Sequence, residues 1–211
     1  LKVSKTTDKI ILNHYPDSNK SRSSYLKLLE QSVKEYPLND RNMHYLGREY
    51  MYYNKNNEAI DTLIRHLNLK SATWKDERCA SMRFIARCYV RLKRYDEAFM
   101  WLNKAIKEAP YLRDPYVATG LLYYDLKDYE NCKKYLLKAL KIKNHEMTYI
   151  NEVSSWDNTI YDVLSIAYFN LGKYKLSLKY VKLALSMDKN NERLLNNLEI
   201  IKQKEKDVFK G

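Results

Sequence analysis

The sequence predicts an all-α fold of repeated helix pairs, and three observations predict it. The chain has 211 residues with only 4 Gly and 4 Pro but 20 Tyr, which leaves little room for a turn-rich β fold and suits aromatic helix seams. Within residues 82–110, the small residue Ala86 precedes Tyr89, and Ala98, Leu102, Ala105 and Pro110 follow at fixed helical offsets. The same ladder recurs around Tyr50 (Gly47, Ala59, Leu63), Tyr123 (Gly120, Cys132, Leu136, Ala139) and Tyr168 (Ser165, Ser177, Val181, Ala184).

That spacing is the tetratricopeptide pattern, in which two short antiparallel helices form each repeat. Ala86 and Ala98 fall where the two helices cross, so a larger side chain there would push them apart. Tyr89, Leu102 and Ala105 fill the seam, and Pro110 stops the second helix. The predicted architecture is a tetratricopeptide superhelix of about four helix pairs plus capping helices, with a short strand-like remnant at its N-terminal end. Such a solenoid is a scaffold and by itself implies no chemistry.

Taken in order, residues 1–20 do not read as solenoid. Residues 9–15, Lys-Ile-Ile-Leu-Asn-His-Tyr, are a short run of β-formers ended by Pro16-Asp17. A lone strand cannot satisfy its backbone groups, so its sheet partners are expected upstream of Leu1, and the chain is expected to be a piece of a longer protein. From residue 21 to 211 the pattern is helical. Ser24 can cap a helix reaching about Tyr36 with Leu26, Leu29 and Val33 on one face, an N-terminal cap for the first repeat. With first positions at Asp40, Cys79, Arg113 and Asn158, two connections exceed the ~34-residue period. One contains Trp74, and the other runs through residues 144–152. Their apolar tips, Trp74 and residues 147–150, favour docking on a neighbouring surface. A last helix over about 191–209 presents Leu194, Leu195, Leu198 and Ile201 to the final repeat and a Lys- and Glu-rich face to solvent.

The net charge is +12, with lysines such as Lys133, Lys134, Lys138 and Lys141 scattered along helix faces. That spread suits a solvated surface, and no helix-turn-helix, zinc or RNA-binding signature accompanies it, so nucleic acid is not an expected partner. The 3 cysteines are odd in number: Cys132 takes a small crossing position, and Cys79 and Cys88 are too far apart for a CxxC motif. Reduced cysteines in a cytoplasmic protein are expected. No apolar run has the length of a membrane span.

No catalytic set emerges: there is no Gly-rich phosphate loop, nucleophile elbow or Asp-x-Asp. The 4 histidines, His14, His44, His66 and His145, have no metal-ligand spacing along the chain, so no metal or cofactor is expected in this chain. Asp114 and Asp125 read as surface charges. The concave groove is more informative. In the first two repeats its expected lining is Arg41, His44, Arg48 and Tyr52, then Arg83, Arg87 and Arg91, with Tyr124 further along. Arg83, Arg87 and Arg91 rise up one helix face, and guanidinium forks match carboxylates. Their acidic complement is either a partner or carboxylates of the solenoid itself, Glu49, Asp76 or Glu77 among them.

Three stretches carry a more particular resemblance: Tyr45-Leu46-Gly47-Arg48-Glu49-Tyr50, Trp74-Lys75-Asp76-Glu77-Arg78-Cys79-Ala80-Ser81-Met82-Arg83, and Glu108-Ala109-Pro110-Tyr111-Leu112-Arg113-Asp114-Pro115. With residues 10–15 and the following Lys20-Ser21-Arg22, they resemble the family-2 glycosyltransferases of bacteria and viruses that carry a tetratricopeptide region after a GT-A catalytic domain. The resemblance implies that residues 1–20 end such a domain and that the parent enzyme transfers a sugar from a nucleotide-sugar with a divalent metal. His14 stands where a late-strand histidine can join that metal site; otherwise it is a strand-end histidine with an ordinary hydrogen bond. The chain lacks the Asp-x-Asp motif and the donor-binding fold. The expected role is therefore a non-catalytic scaffold that places a protein or glycan acceptor, contacts an upstream catalytic domain, or joins copies of itself. The alternative is a free-standing adaptor whose basic groove takes an acidic peptide.

Overall fold

The computed structural model describes residues 23–143 and 148–210. The strand-like stretch at 10–15, His14, and the tip at 144–147 with His145 lie outside the described residues. Among the described residues ten α-helices follow one another: α1 (Ser23–Glu35), α2 (Asp40–Tyr52), α3 (Asn56–Asn68), α4 (Lys75–Arg91), α5 (Tyr95–Glu108), α6 (Asp114–Asp125), α7 (Tyr129–Lys141), α8 (Thr159–Asn170), α9 (Tyr174–Met187) and α10 (Glu192–Lys210). A 3-10 turn, Val153–Ser155, lies between α7 and α8. No strand occurs among the described residues. Helices α2/α3, α4/α5, α6/α7 and α8/α9 pack as pairs, and the first helices of successive pairs also touch (α2 with α4, α4 with α6, α6 with α8). The fold is an all-α tetratricopeptide superhelix in which those first helices line the inner curve.

The crossing positions fall where the spacing puts them. A Cβ added to Gly47 would meet Leu63 Cγ at 2.5 Å, and one added to Gly120 would meet Leu136 Cδ2 at 2.6 Å. Ala86, Ala98 and Cys132 fill the same niche, all buried. The fourth pair uses serines: Ser177 Oγ donates to the Ser165 carbonyl at 2.8 Å, and Ser165 Oγ to the Ser177 carbonyl at 3.1 Å. Two buried hydroxyls thus meet their hydrogen-bonding needs inside an apolar seam.

Each pair turns by the same device. After α2, α4, α6 and α8 one residue takes a left-handed backbone: Asn54 (φ 59°), Lys93 (59°), Lys127 (60°) and Gly172 (70°). The next residue donates its N–H to the carbonyl of the ladder tyrosine: Lys55 to Tyr50, Arg94 to Tyr89, Asp128 to Tyr123 and Lys173 to Tyr168. This closes the helix end with a 6→1 bond, and only the fourth repeat uses the residue without a Cβ penalty.

The ends are capped. Leu26, Leu29 and Val33 of α1 bury against Met43 and Leu46 of α2. At the other end Leu194 and Ile201 of α10 bury, with Leu198 packed beside them against Val181 and Ala184. Leu195, expected on that face, is 44% exposed instead. The apolar stripe runs 194, 198, 201, and the neighbour at 195 is turned about 100° around the helix from Leu194.

Candidate functional site

The basic ladder of α4 is met by the chain's own connection between α7 and α8. Arg83, only 4% exposed, donates from Nη2 to the Ile150 carbonyl at 2.8 Å and from Nη1 to Glu152 Oε1 at 3.0 Å. Arg87 Nη2 reaches the same Glu152 oxygen at 3.1 Å and keeps its side chain 42% exposed. Arg91 donates instead to the Met51 carbonyl of the preceding repeat. The internal carboxylate that Arg83 and Arg87 reach is Glu152, while Asp76 and Glu77 are engaged by tyrosines. Asp76 accepts from the Tyr111 hydroxyl, and Glu77 accepts from Tyr149.

Segment 148–156 is pinned along its length. Tyr149 sets its ring 5.9 Å from Tyr45 and 5.8 Å from Trp74, between centroids. The Ile150 side chain is 5% exposed and joins the core of α4 and α5. Asp114 accepts the Glu152 backbone N–H at 2.6 Å and the Asn151 amide at 3.3 Å. Expected as a surface charge, Asp114 is 2% exposed, because the segment lies over it. Arg113 holds the far end, donating to the carbonyls of Ile142 at 2.7 Å and Ser155 at 3.3 Å while its guanidinium lies 3.8 Å from the Trp156 ring centroid. The connection whose apolar tip predicted docking thus docks on its own superhelix.

The remaining groove residues separate into exposed and enclosed. Arg41 donates from Nε to the Tyr45 hydroxyl at 3.3 Å, and the Arg48 guanidinium stacks over the Tyr45 ring at 4.9 Å. Tyr52 is 52% exposed, and Tyr124 is half-buried, edge-on to Tyr129. His44 is enclosed completely and does not line an open surface. It faces the helix interior, where Ser81 Oγ lies 2.8 Å from His44 Nδ1 and 3.0 Å from His66 Nδ1. His66 Nε2 is 3.3 Å from Glu77 Oε1. Burial pushes the His44 imidazole down to about 3, so it is neutral. Burial alone would raise the Glu77 carboxyl, but the hydrogen bonds from His66 and Tyr149 outweigh it and hold the group below its usual range. The Tyr149 hydroxyl is raised by burial and by that carboxylate, so it stays a donor. The meeting of His44, His66 and Glu77 escapes a search by spacing along one helix, because each sits on a different helix. A polar histidine on the apolar face of α2, and another on that of α3, is the signal that could have found it.

Burial raises the thiols of Cys79 to about 12, Cys88 to about 11 and Cys132 to about 12, and all three are free. They are packing groups without thiolate character. No helix among the described residues is long and apolar enough to cross a membrane.

The inner curve seats one of the chain's own extended segments, with Arg83 and Arg87 set on its carboxylate, on a scaffold of tetratricopeptide helix pairs. Comparison with known proteins agrees on the repeats: the tetratricopeptide repeat family is matched at residues 84–111, 114–146 and 159–191, that is, in the second, third and fourth pairs. No curated protein gives a significant match. Among solved structures, the chain is similar to MamA, with 19% identity over 85% of this chain and 99% of that one and a TM-score of 0.63. It is also similar to a thermophilic tetratricopeptide protein of Thermus thermophilus, with 19% identity over 83% and 88% and a TM-score of 0.57. A third is pilF of Pseudomonas aeruginosa, with 15% identity over 80% and 69% and a TM-score of 0.60. At these identities the likeness is one of fold.

Proposed function

We propose that the protein is a protein-interaction scaffold whose inner curve holds an acidic, extended segment across α2 and α4. The observation that carries this reading is the pair Arg83 and Arg87 gripping one carboxylate, Glu152, while Arg83 also takes a backbone carbonyl of the same segment. Main-chain recognition together with charge-assisted hydrogen bonds to a carboxylate is how a groove reads an extended peptide. Segment 148–156 is then the resident occupant. A partner segment of similar chemistry, an aromatic and an aliphatic residue ahead of a Glu, competes with it for Arg87 and for the aromatic shelf of Tyr45 and Trp74. The tethered segment has the advantage of a high effective concentration, so partner binding tightens when it is weakened.

The finer reading places this scaffold in the cytoplasm, beside a family-2 glycosyltransferase domain whose acceptor protein or glycan it would position. The compartment rests on the odd number of cysteines and the rest on the sequence resemblance, and any nucleotide-sugar and divalent metal of that reading belong to the parent enzyme.

The test is a fluorescence titration with a labelled peptide reproducing residues 148–156, against the unaltered chain and a Glu152→Ala variant. Saturable binding, tighter to the variant and weakening with added salt, supports the groove. Equal binding of the peptide and of its Glu→Gln analogue refutes recognition through the arginines.

A further inference from the structure

The cluster beneath the groove has a chemistry that the scaffold role does not use. His44 of α2, His66 of α3 and Glu77 of α4 each offer one ligand atom, and these atoms lie within 4.8 Å of one another. All three residues are buried, the histidines completely. We propose that His44, His66 and Glu77 form a divalent-metal site that takes Zn2+, joining three successive helices through one ion.

The surrounding groups are disposed as supports for such ligands. Ser81 Oγ contacts Nδ1 of both rings. One hydroxyl oxygen has two lone pairs and can accept both Nδ1–H groups, a tautomer that leaves both Nε2 atoms as electron-pair donors. His44 Nε2 is buried without a hydrogen-bond partner, and His66 Nε2 has only the 3.3 Å contact to Glu77 Oε1. A buried polar atom normally finds a partner, and an orphaned imidazole nitrogen beside a second histidine and a carboxylate is an arrangement that a cation satisfies. Glu77 is oriented in the same way, since its Oε2 accepts from Tyr149 while Oε1 faces His66 Nε2 at 3.3 Å. Tetrahedral Zn2+ with bonds of about 2.0–2.2 Å sets its ligand atoms roughly 3.3 Å apart. The His66–Glu77 edge already has that length, and His44, within 4.8 Å of both, closes the third corner by moving inward.

The ligand set also selects the ion. Ca2+ and Mg2+ want oxygen ligands, whereas two neutral imidazoles with one carboxylate suit Zn2+. Arg48 and Arg83 add positive charge near His44, which further disfavours an ion held by charge alone. Through Glu77 and Tyr149 the ion would also brace segment 148–156. The proposal stands apart from peptide binding, and its test has its own readout.

The full chain is stripped with a chelator, then titrated with Zn2+ by calorimetry and with Co2+ by visible absorption. Uptake of one equivalent, with the d–d bands of a four-coordinate cobalt, is the expected result. Ser81→Ala, which keeps all three ligands, should weaken Zn2+ by about tenfold or more. His66→Gln should abolish the cobalt bands, and His14→Ala/His145→Ala should leave them unchanged. If His66→Gln does not fold, the cobalt spectrum of the unaltered chain and the Ser81→Ala affinity decide. Absence of cobalt bands in the folded chain, or their loss in His14→Ala/His145→Ala, overturns the proposal.

Discussion

The Tyr149 hydroxyl donates a hydrogen bond to the Glu77 carboxylate, 72 positions earlier in the chain. This one bond connects the docked segment to the buried histidine cluster. Truncating the donor should therefore be felt at both. Tyr149→Phe leaves a buried acceptor short of a partner and should cost about 1–3 kcal/mol in urea unfolding. An unchanged midpoint would show that Glu77 is satisfied without it.

Glu152 is the counter-charge for the enclosed guanidinium of Arg83, whose side chain is 3% exposed against 32% for Glu152. Glu152→Ala strands the arginine and should destabilise by about 1–2 kcal/mol, below the range for fully buried pairs because solvent reaches the carboxylate. Arg83→Met removes the cation and is expected to be milder than Arg83→Ala, which also opens a cavity. The comparison is made by chemical denaturation of the three variants. If Arg83→Met proves the most damaging, the ion pair itself stabilises the fold.

Gly47 and Gly120 sit against Leu63 and Leu136 at distances that no real Cβ occupies. Gly120→Ala should cost about 1–3 kcal/mol by forcing the third pair apart. Adding Leu136→Val should recover part of that loss, giving a favourable coupling in a double-mutant cycle. Additive losses would place the glycine away from the crossing.

Lys93 and Lys127 hold left-handed backbones at φ 59° and 60°. The conformation costs a residue with a Cβ roughly 1–2 kcal/mol, and glycine gives back up to about 1 kcal/mol through its freer unfolded chain. Lys127→Gly should therefore raise stability by a few tenths to about 1 kcal/mol. A thermal midpoint lower than that of the unaltered chain would contradict this.

His44 supplies a pH dependence. Its folded value of about 3 lies below its ordinary 6.5, so the unfolded chain takes up a proton first as pH falls. Stability from this group is complete above pH 6.5 and is lost progressively from there down towards pH 3. At pH 5 the loss is about 2 kcal/mol for a single buried histidine. Urea midpoints at pH 7.5 and 5 with chelator present check it, and equal midpoints would mean that the ring is solvated in the folded state.

The helix pairs were legible because their contacts are local. A small residue and its partner across one tight turn leave a pattern of short offsets, as Gly47 with Leu63 and Ala86 with Ala98 do. The groove was legible only by half. The periodicity of α4 puts Arg83 and Arg87 on one side, but no offset rule reaches Glu152, because the path of an enlarged connection is decided by what it can bury. Ile150 and Tyr149 decide it here, by entering the core and the aromatic shelf. For the same reason Asp114 read as a surface charge: its burial comes from a segment docked over it, not from its own helix. His44 shows a further limit, since its first-helix position marks a face, while the small Ser81 opposite lets the ring turn inward.

The bonds from Arg83 to Ile150 and Glu152 span 67 and 69 positions. An array whose units touch only their neighbours can fray from either end, shedding one unit at a time. A strap running from between the third and fourth pairs back to the second removes that freedom for everything it encloses. Losing the third pair must also release the strap, and that exposes Ile150 and strands Arg83 deep in the second. The middle of this solenoid should consequently melt as one cooperative block, with amide protons in α4 and α6 exchanging at a common rate. That long-range closure also gives it slower folding than a strictly sequential stack of the same length.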